Sequence, residues 1–192
     1  MTNDESRRRE DRFAGGLVTL FLLLVGALAQ AADAPIALHA ENPHYLMFRG
    51  KPTILITSGE HYGAVLNGDF DYLPYLDELQ SKKLNLTRTF SGVYRELPGT
   101  FNITDNTLAP KTHAKFICPW ARSDTPGASD GGNKFDLTKY NPAYFERLKN
   151  FISEAGKRGV VVELVLFCTT YDDNSGPAVR RMRRTTSTAS GR

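Results

Sequence analysis

The chain has 192 residues, enough for one compact domain and little more. Its formal net charge of +3 arises at the two ends, since residues 32–176 hold 15 basic and 17 acidic residues, a balance of −2. The basic composition is therefore no argument for nucleic-acid binding by the folded part. Two cysteines, Cys118 and Cys168, are too few for a disulfide framework, and whether they pair with each other stays open.

The first 31 residues have the composition of a secretory signal peptide. Four arginines precede an uncharged run from Phe13 to Ala29, and Ala29-Gln30-Ala31 has the A-x-A form that signal peptidase accepts. The apolar run is short for spanning a bilayer, so an uncleaved anchor helix is the less favoured alternative. We therefore predict cleavage before Ala32, a secreted or periplasmic protein, and no stable membrane insertion after cleavage.

A β-hairpin and a site-forming loop are predicted after a linker over residues 32–41. The segment 45–48, a glycine turn at 49–52 and the apolar run 53–57 favour two strands, the second of which leads into a sheet. Glu60, His61 and Tyr62 follow that strand between two glycines, and this position at the carboxyl end of a strand is typical of binding loops. A simple connection with solvated side chains has the same pattern.

Two helix–strand units follow in the chain. Leucines at helical spacing predict a helix over 71–83 and a strand over 84–90. The second helix is predicted from Asn141, a good N-cap, to Gly159, and the β-branched run 160–167 follows as a strand. A strand that is apolar on nearly every position belongs to a parallel sheet covered by helices. The order predicts an α/β fold.

About fifty residues between 91 and 141 lack sustained periodicity and are predicted to be a long loop on the ligand-binding face. Tyr94 lies in this loop, and so does Trp120, whose ring either stacks on a sugar or anchors the loop. Neither a serine nucleophile elbow, nor a phosphate-binding loop, nor zinc-ligand spacing is present, and the four histidines are scattered. We predict no cofactor and no metal.

The segment 83–88 resembles the second-strand signature of clan A glycoside hydrolases, the (β/α)8-barrel (TIM-barrel) group that includes the cellulase-like family 5. Asn85 and Arg88 match that signature, whereas Lys83 and Leu84 replace its glycine and aromatic residue. The turn at 49–52, the segments 135–137 and 141–145, and the third strand look similar too, so the likeness covers roughly residues 42–173.

The resemblance implies a secreted glycoside hydrolase that cleaves O-glycosidic bonds in a polysaccharide or glycoside. In that family the strand-two arginine, here Arg88, hydrogen-bonds the catalytic nucleophile, and the two catalytic glutamates come from strands four and seven. Neither position exists here, so we expect residues 42–176 to be the first three βα units of the barrel, a truncated and inactive fragment with no catalytic residue. Glu163, predicted to point into the barrel, has either Arg88 as its partner or solvent.

The candidate carbohydrate-binding residues are Glu60, His61, Tyr62, Arg88, Tyr94, Trp120 and Tyr171. Two alternatives remain open: a non-catalytic secreted carbohydrate-binding α/β domain, and a small doubly wound domain with another ligand. The last segment, 177–192, has five arginines and no acidic or aromatic residue, which predicts disorder. We interpret it as the product of a frameshift or truncation rather than an ordinary tail.

Overall fold

The computed structural model describes residues 34–57, 60–92 and 94–167. Its contacts divide the chain into two compact units, one up to Leu55 and one from Ile56 onwards. The predicted signal peptide, the segment 177–192, Cys168 and Tyr171 lie outside the described residues. No helix among the residues described has both the length and the apolar composition to cross a membrane.

The first unit contains a small antiparallel sheet of strands β1 (Ala37–Leu38), β2 (Leu46–Phe48) and β3 (Lys51–Thr53) in that order. Arg49 and Gly50 connect β2 to β3, and both have positive φ, the backbone that a two-residue hairpin turn requires. The predicted hairpin is therefore present. β1 lies within residues 32–41, which we expected to be a linker.

The second unit contains the remaining elements. Helix α1 (Tyr72–Ser81) precedes strand β4 (Leu86–Phe90), and helix α2 (Pro142–Lys157) precedes strand β7 (Val161–Val165). β4 and β7 pair in parallel, with Leu86 beside Val161 and Phe90 beside Val165. The unit is thus a mixed α/β fold, and the described strands do not close into a barrel.

Local sequence signals explain both helices. The Asp71 carboxylate accepts from the Leu73 amide at 3.0 Å at the start of α1, and the Asn141 side chain caps α2 through the Ala143 amide at 3.2 Å. Gly159, with a φ of 73°, ends α2 as predicted. The apolar faces of the helices form a common core with the start of β7 and the turn before α1, built from Val65, Leu76, Leu79, Phe151, Ala155 and Val160.

Two sequence predictions need correction. Residues 54–57 form no strand. The Ile56 carbonyl accepts from the Asn85 and Leu86 amides at 3.0 and 3.2 Å, but the Ile56 amide donates to the Asn85 side chain at 2.7 Å, so no regular ladder forms. The described parallel sheet therefore has two strands and not three. The predicted fifty-residue loop contains an antiparallel hairpin of β5 (Trp120–Pro126) and β6 (Asn133–Tyr140), with register shifts along it.

Candidate functional site

A charged cluster lies where β4 and β7 run side by side. Arg88 is directly opposite Glu163 in the parallel register. Its Nε lies 3.1 Å from the Glu163 carboxylate, and one terminal nitrogen, Nη1, lies 3.2 Å from the carboxylate of Glu60. The pairing of Arg88 with Glu163 predicted from strand alternation is thus present, and Glu60 joins it from the loop that precedes α1.

These three side chains line an open pocket of about 250 Å³, which we call the Arg88 pocket. Its lining residues are Thr57, Glu60, Leu86, Arg88 and Glu163. The charged side chains are between 36 and 46 % exposed, and ion pairs at such exposure contribute little to stability. The two carboxylates and the one guanidinium together give the pocket a formal charge of −1. Hydrogen bonding and attraction to Glu163, with a smaller contribution from Glu60, hold the pKa of Arg88 above its usual range.

A second cluster lies at the carboxyl end of β4. Glu96 is 2 % exposed, and its Oε2 accepts hydrogen bonds from the hydroxyls of Tyr62 at 2.5 Å and Tyr94 at 2.8 Å. The Tyr62 ring stacks on Phe90, the last residue of β4, with ring centroids 4.8 Å apart. Burial and the neighbouring Glu96 carboxylate raise the pKa of Tyr62, so its hydroxyl stays a donor. Sequence reasoning missed Glu96 as a site residue.

His61 is the predicted site residue whose surroundings differ most from a binding loop. It is only 9 % exposed, its ring stacks on Phe70 at 3.8 Å, and a ring nitrogen lies 3.0 Å from the Thr107 hydroxyl. Burial lowers its pKa to about 4, so the ring is neutral at physiological pH. These contacts fix the position of the loop that carries Glu60 and Tyr62.

Of the remaining candidates, Trp120 does not line the Arg88 pocket, and Tyr171 lies outside the described residues. Trp120 is partly buried against the hydrophobic core at the start of β5, which fits the anchoring alternative. Cys118 is a buried free thiol, and burial raises its pKa to about 11. The described residues hold no group of three or more His, Cys, Asp or Glu side chains arranged for a metal ion.

Comparison with known proteins adds a family match and a fold. Residues 111–171 match a family model described as "Domain of unknown function (DUF6298)". No curated protein matches the chain. Among solved structures, the fold is similar to that of a protein described as a "putative glycoside hydrolase" from Bacteroides vulgatus ATCC 8482, with a TM-score of 0.50 and 15 % identity. That match covers 71 % of this chain and 24 % of the other, so the chain spans about a quarter of the solved protein.

Proposed function

We propose that this chain contributes a carbohydrate-binding site to a clan A-type glycoside hydrolase, an enzyme that hydrolyses O-glycosidic bonds in a polysaccharide or glycoside. The observation that carries the proposal is the Arg88 guanidinium held between two carboxylates, at 3.2 and 3.1 Å, in an open pocket at the parallel strands. The likeness of the fold to a solved protein described as a "putative glycoside hydrolase" supports it.

The Arg88 pocket offers the polar groups that a sugar ring needs. Glu60 and Glu163 accept hydrogen bonds from hydroxyls, and such charge-assisted bonds are stronger than neutral ones. The Arg88 side chain is 45 % exposed, and a guanidinium has five donor hydrogens, more than the two ion pairs with Glu60 and Glu163 use. Because the pocket carries a formal charge of −1, it favours neutral sugars over uronic acids.

Both carboxylates of the pocket are engaged by Arg88, and we assign them binding and orientation. Glycoside hydrolysis needs one carboxyl as acid and a second as nucleophile or base. The resemblance puts those two glutamates on barrel strands four and seven, and neither position is among the described residues. We therefore propose no catalytic residue in this chain, and no cofactor, metal or nucleic acid takes part in the proposed function.

A non-catalytic carbohydrate-binding domain is the second candidate function. It is favoured by the same pocket, since binding through Glu60, Arg88 and Glu163 needs no acid–base pair.

We also propose that the protein is exported, on the strength of the basic, apolar and small-residue segments of its first 31 residues.

The test is a binding and turnover assay on the full chain. Affinity for soluble polysaccharides is measured by calorimetry, and hydrolysis is followed with aryl glycosides. We expect Arg88→Ala to weaken binding at least tenfold, whereas Lys149→Ala, which removes an equal charge from an exposed position on α2, leaves it unchanged. Saccharide affinity that is equal in Arg88→Ala and the wild type would refute the proposed site, and turnover by the chain alone would refute the absence of catalytic residues.

A further inference from the structure

Arg95, in the segment that follows β4, is partly buried and has no counterion. No hydrogen bond or ion pair joins its guanidinium to another of the described residues, and its Nε is buried without a partner. The two terminal nitrogens also lack a partner, but they are not fully buried, so a ligand can reach them. An arginine is always charged and has five donor hydrogens, so a partly buried guanidinium with none of them used calls for an anion.

The acidic residue next in the chain does not neutralise Arg95. Glu96 is fully buried, and its Oε2 accepts from the hydroxyls of Tyr62 and Tyr94. It forms no ion pair with Arg95 in the part of the chain that the structure describes. The two consecutive side chains thus have separate surroundings, and the charge of Arg95 stays uncompensated on this side.

The carboxylate whose charge does act on Arg95, that of Asp130, is already paired. Asp130 accepts from both terminal nitrogens of Arg122 in a bidentate ion pair. Burial, together with repulsion from Arg122, holds the pKa of Arg95 below its usual range in spite of the attraction to Asp130. Two guanidinium groups and one carboxylate leave this cluster with a formal charge of +1.

Aromatic rings position Arg95 without using its donors. Its guanidinium lies over the Phe116 ring, 5.9 Å from the ring centre, and Arg122 lies over Phe135 at 3.8 Å. The two rings meet edge to face with centroids 6.1 Å apart, and both belong to the hydrophobic core. A cation held over a ring keeps its N–H groups free for an acceptor, so the position of Arg95 is set before a ligand arrives.

From these observations we propose that Arg95 binds a carboxylate of a ligand through its two terminal nitrogens. A guanidinium and a carboxylate match each other in a bidentate pair, and one negative charge cancels the +1 of the cluster, whereas a doubly charged phosphate leaves an excess. Two sources supply this group, an acidic sugar (a uronic acid) and a simple carboxylic acid. The carboxylate follows from Arg95 itself; its assignment to a sugar rests on the function proposed above.

The experiment measures binding of galacturonate, galactose, acetate and inorganic phosphate to the full chain by calorimetry at constant ionic strength. Arg95→Met removes the charge and keeps an unbranched stem beside Phe116, and Arg95→Lys keeps the charge without the planar fork. We expect both variants to weaken galacturonate at least tenfold. Lys149→Met, which removes an equal charge from an exposed position on α2, is the matched control and should not change the affinity. In nitrogen-15 NMR spectra, the Arg95 Nε–Hε signal should shift with galacturonate and not with galactose.

Thermal melting provides a readout that a merely structural role would not give. Because an uncompensated, partly buried charge is costly, Arg95→Met without ligand should melt at the same temperature as the wild type or higher. Galacturonate should raise the melting temperature of the wild type and not that of Arg95→Met. A lower melting temperature of Arg95→Met without ligand would contradict the uncompensated state from which the site is inferred.

The remaining outcomes separate this site from the Arg88 pocket and identify the ligand. Galacturonate binding that survives Arg88→Ala and is lost in Arg95→Met supports the inference. Galacturonate binding that is lost in Arg88→Ala and unchanged in Arg95→Met overturns it and leaves the proposed function intact. Acetate that binds through Arg95 as tightly as galacturonate supports the carboxylate site and assigns it to a simple acid. Phosphate that binds more tightly than either carboxylate overturns the assignment, and so does the absence of binding by both carboxylates.

Discussion

Arg147 on α2 provides a direct test of what holds the turn at residues 64–70, before α1, in place. Its Nε donates to the carbonyl of Val65 at 3.1 Å, and one terminal nitrogen donates to those of Ala64 and Asn67 at 3.0 Å and Phe70 at 2.7 Å. The guanidinium also lies 4.8 Å from the centre of the Tyr72 ring. One side chain thus satisfies the carbonyls of a whole turn.

The magnitude follows from the carbonyls that lose a partner. In Arg147→Met, the Asn67 carbonyl still accepts from the Phe70 amide, whereas no other hydrogen bond is described for the carbonyls of Ala64, Val65 and Phe70. A buried acceptor left unpaired costs about 1–3 kcal/mol, and we take the lower end, about 1–1.5 kcal/mol, for each. The expected loss is about 3–4.5 kcal/mol of unfolding free energy, against a typical total of about 5–15 kcal/mol.

The assay is urea and thermal unfolding followed by circular dichroism. At about 4 °C per kcal/mol for a unit of this size, the melting temperature of Arg147→Met should fall by about 12–18 °C. Arg147→Lys keeps the charge but not the planar fork, and we expect about half of that loss. Glu146→Ala, the exposed neighbour, should change stability by less than about 0.5 kcal/mol. An Arg147→Met protein as stable as the wild type would show that the turn does not depend on this side chain.

Three further predictions concern titration, reactivity and processing. The pKa of His61 is lowered to about 4 by burial, below its usual 6.5, so this group contributes stability above pH 6.5 that is lost as the pH falls towards 4. Urea unfolding at pH 7.5 and 4.5 should show about 2.5 kcal/mol less stability at the lower pH from this group, and His61→Gln should remove that part of the difference. Because burial raises the pKa of Cys118 to about 11, iodoacetamide should modify it in a Cys168→Ser background at pH 8 at least tenfold more slowly in the folded chain than in urea. Mass spectrometry of exported protein should find a mature start near Ala32, and an intact residue 1–31 segment in the membrane fraction would contradict the signal-peptide prediction.

Helices and their ends were predictable because their signals are local. The cap at Asn141, the glycine stop at Gly159 and the leucine spacing of α1 each depend on residues within a few positions of one another. The pairing of Arg88 with Glu163 was predictable for a related reason. A parallel register between two recognised strands places same-face residues side by side, and opposite charges at those positions favour a contact.

The β5–β6 hairpin was missed because its strands lack a regular alternation. Register shifts interrupt the pairing on both sides of Arg122, so the period of two that marks a strand is broken. Its closure depends on contacts that a local window does not show. Arg122 pairs with Asp130 at the turn, and its guanidinium lies 3.8 Å from the centre of the Phe135 ring.

The burial of Glu96 could not be predicted from the sequence for a different reason. Glu96 lies in a segment without periodicity, and its burial depends on hydroxyl groups contributed by Tyr62 and Tyr94, the former 34 positions away. Asn67 likewise donates to carbonyls that lie 40 and 42 positions along the chain. Long-range hydrogen bonds of this kind leave no pattern in either segment alone.

The polar outer face of β4 explains how Glu60 reaches Arg88. Thr87 and Thr89 are fully buried, yet each is satisfied: Thr87 by the Tyr75 hydroxyl at 2.7 Å, and Thr89 by donating to the Tyr62 carbonyl at 3.3 Å. Just before the other end of the strand, the Asn85 side chain accepts a hydrogen bond from the Ile56 amide at 2.7 Å. The backbone of β4 attaches at the same two places, since the Leu86 amide donates to the Ile56 carbonyl at 3.2 Å and the Phe90 amide to the Tyr62 carbonyl at 3.0 Å. Side chains and backbone therefore fasten the neighbouring segment together at 56 and at 62. Because both attachments lie within four residues of Glu60, its carboxylate is held on the side of Arg88, and the polar alternation of β4 is part of what builds the pocket.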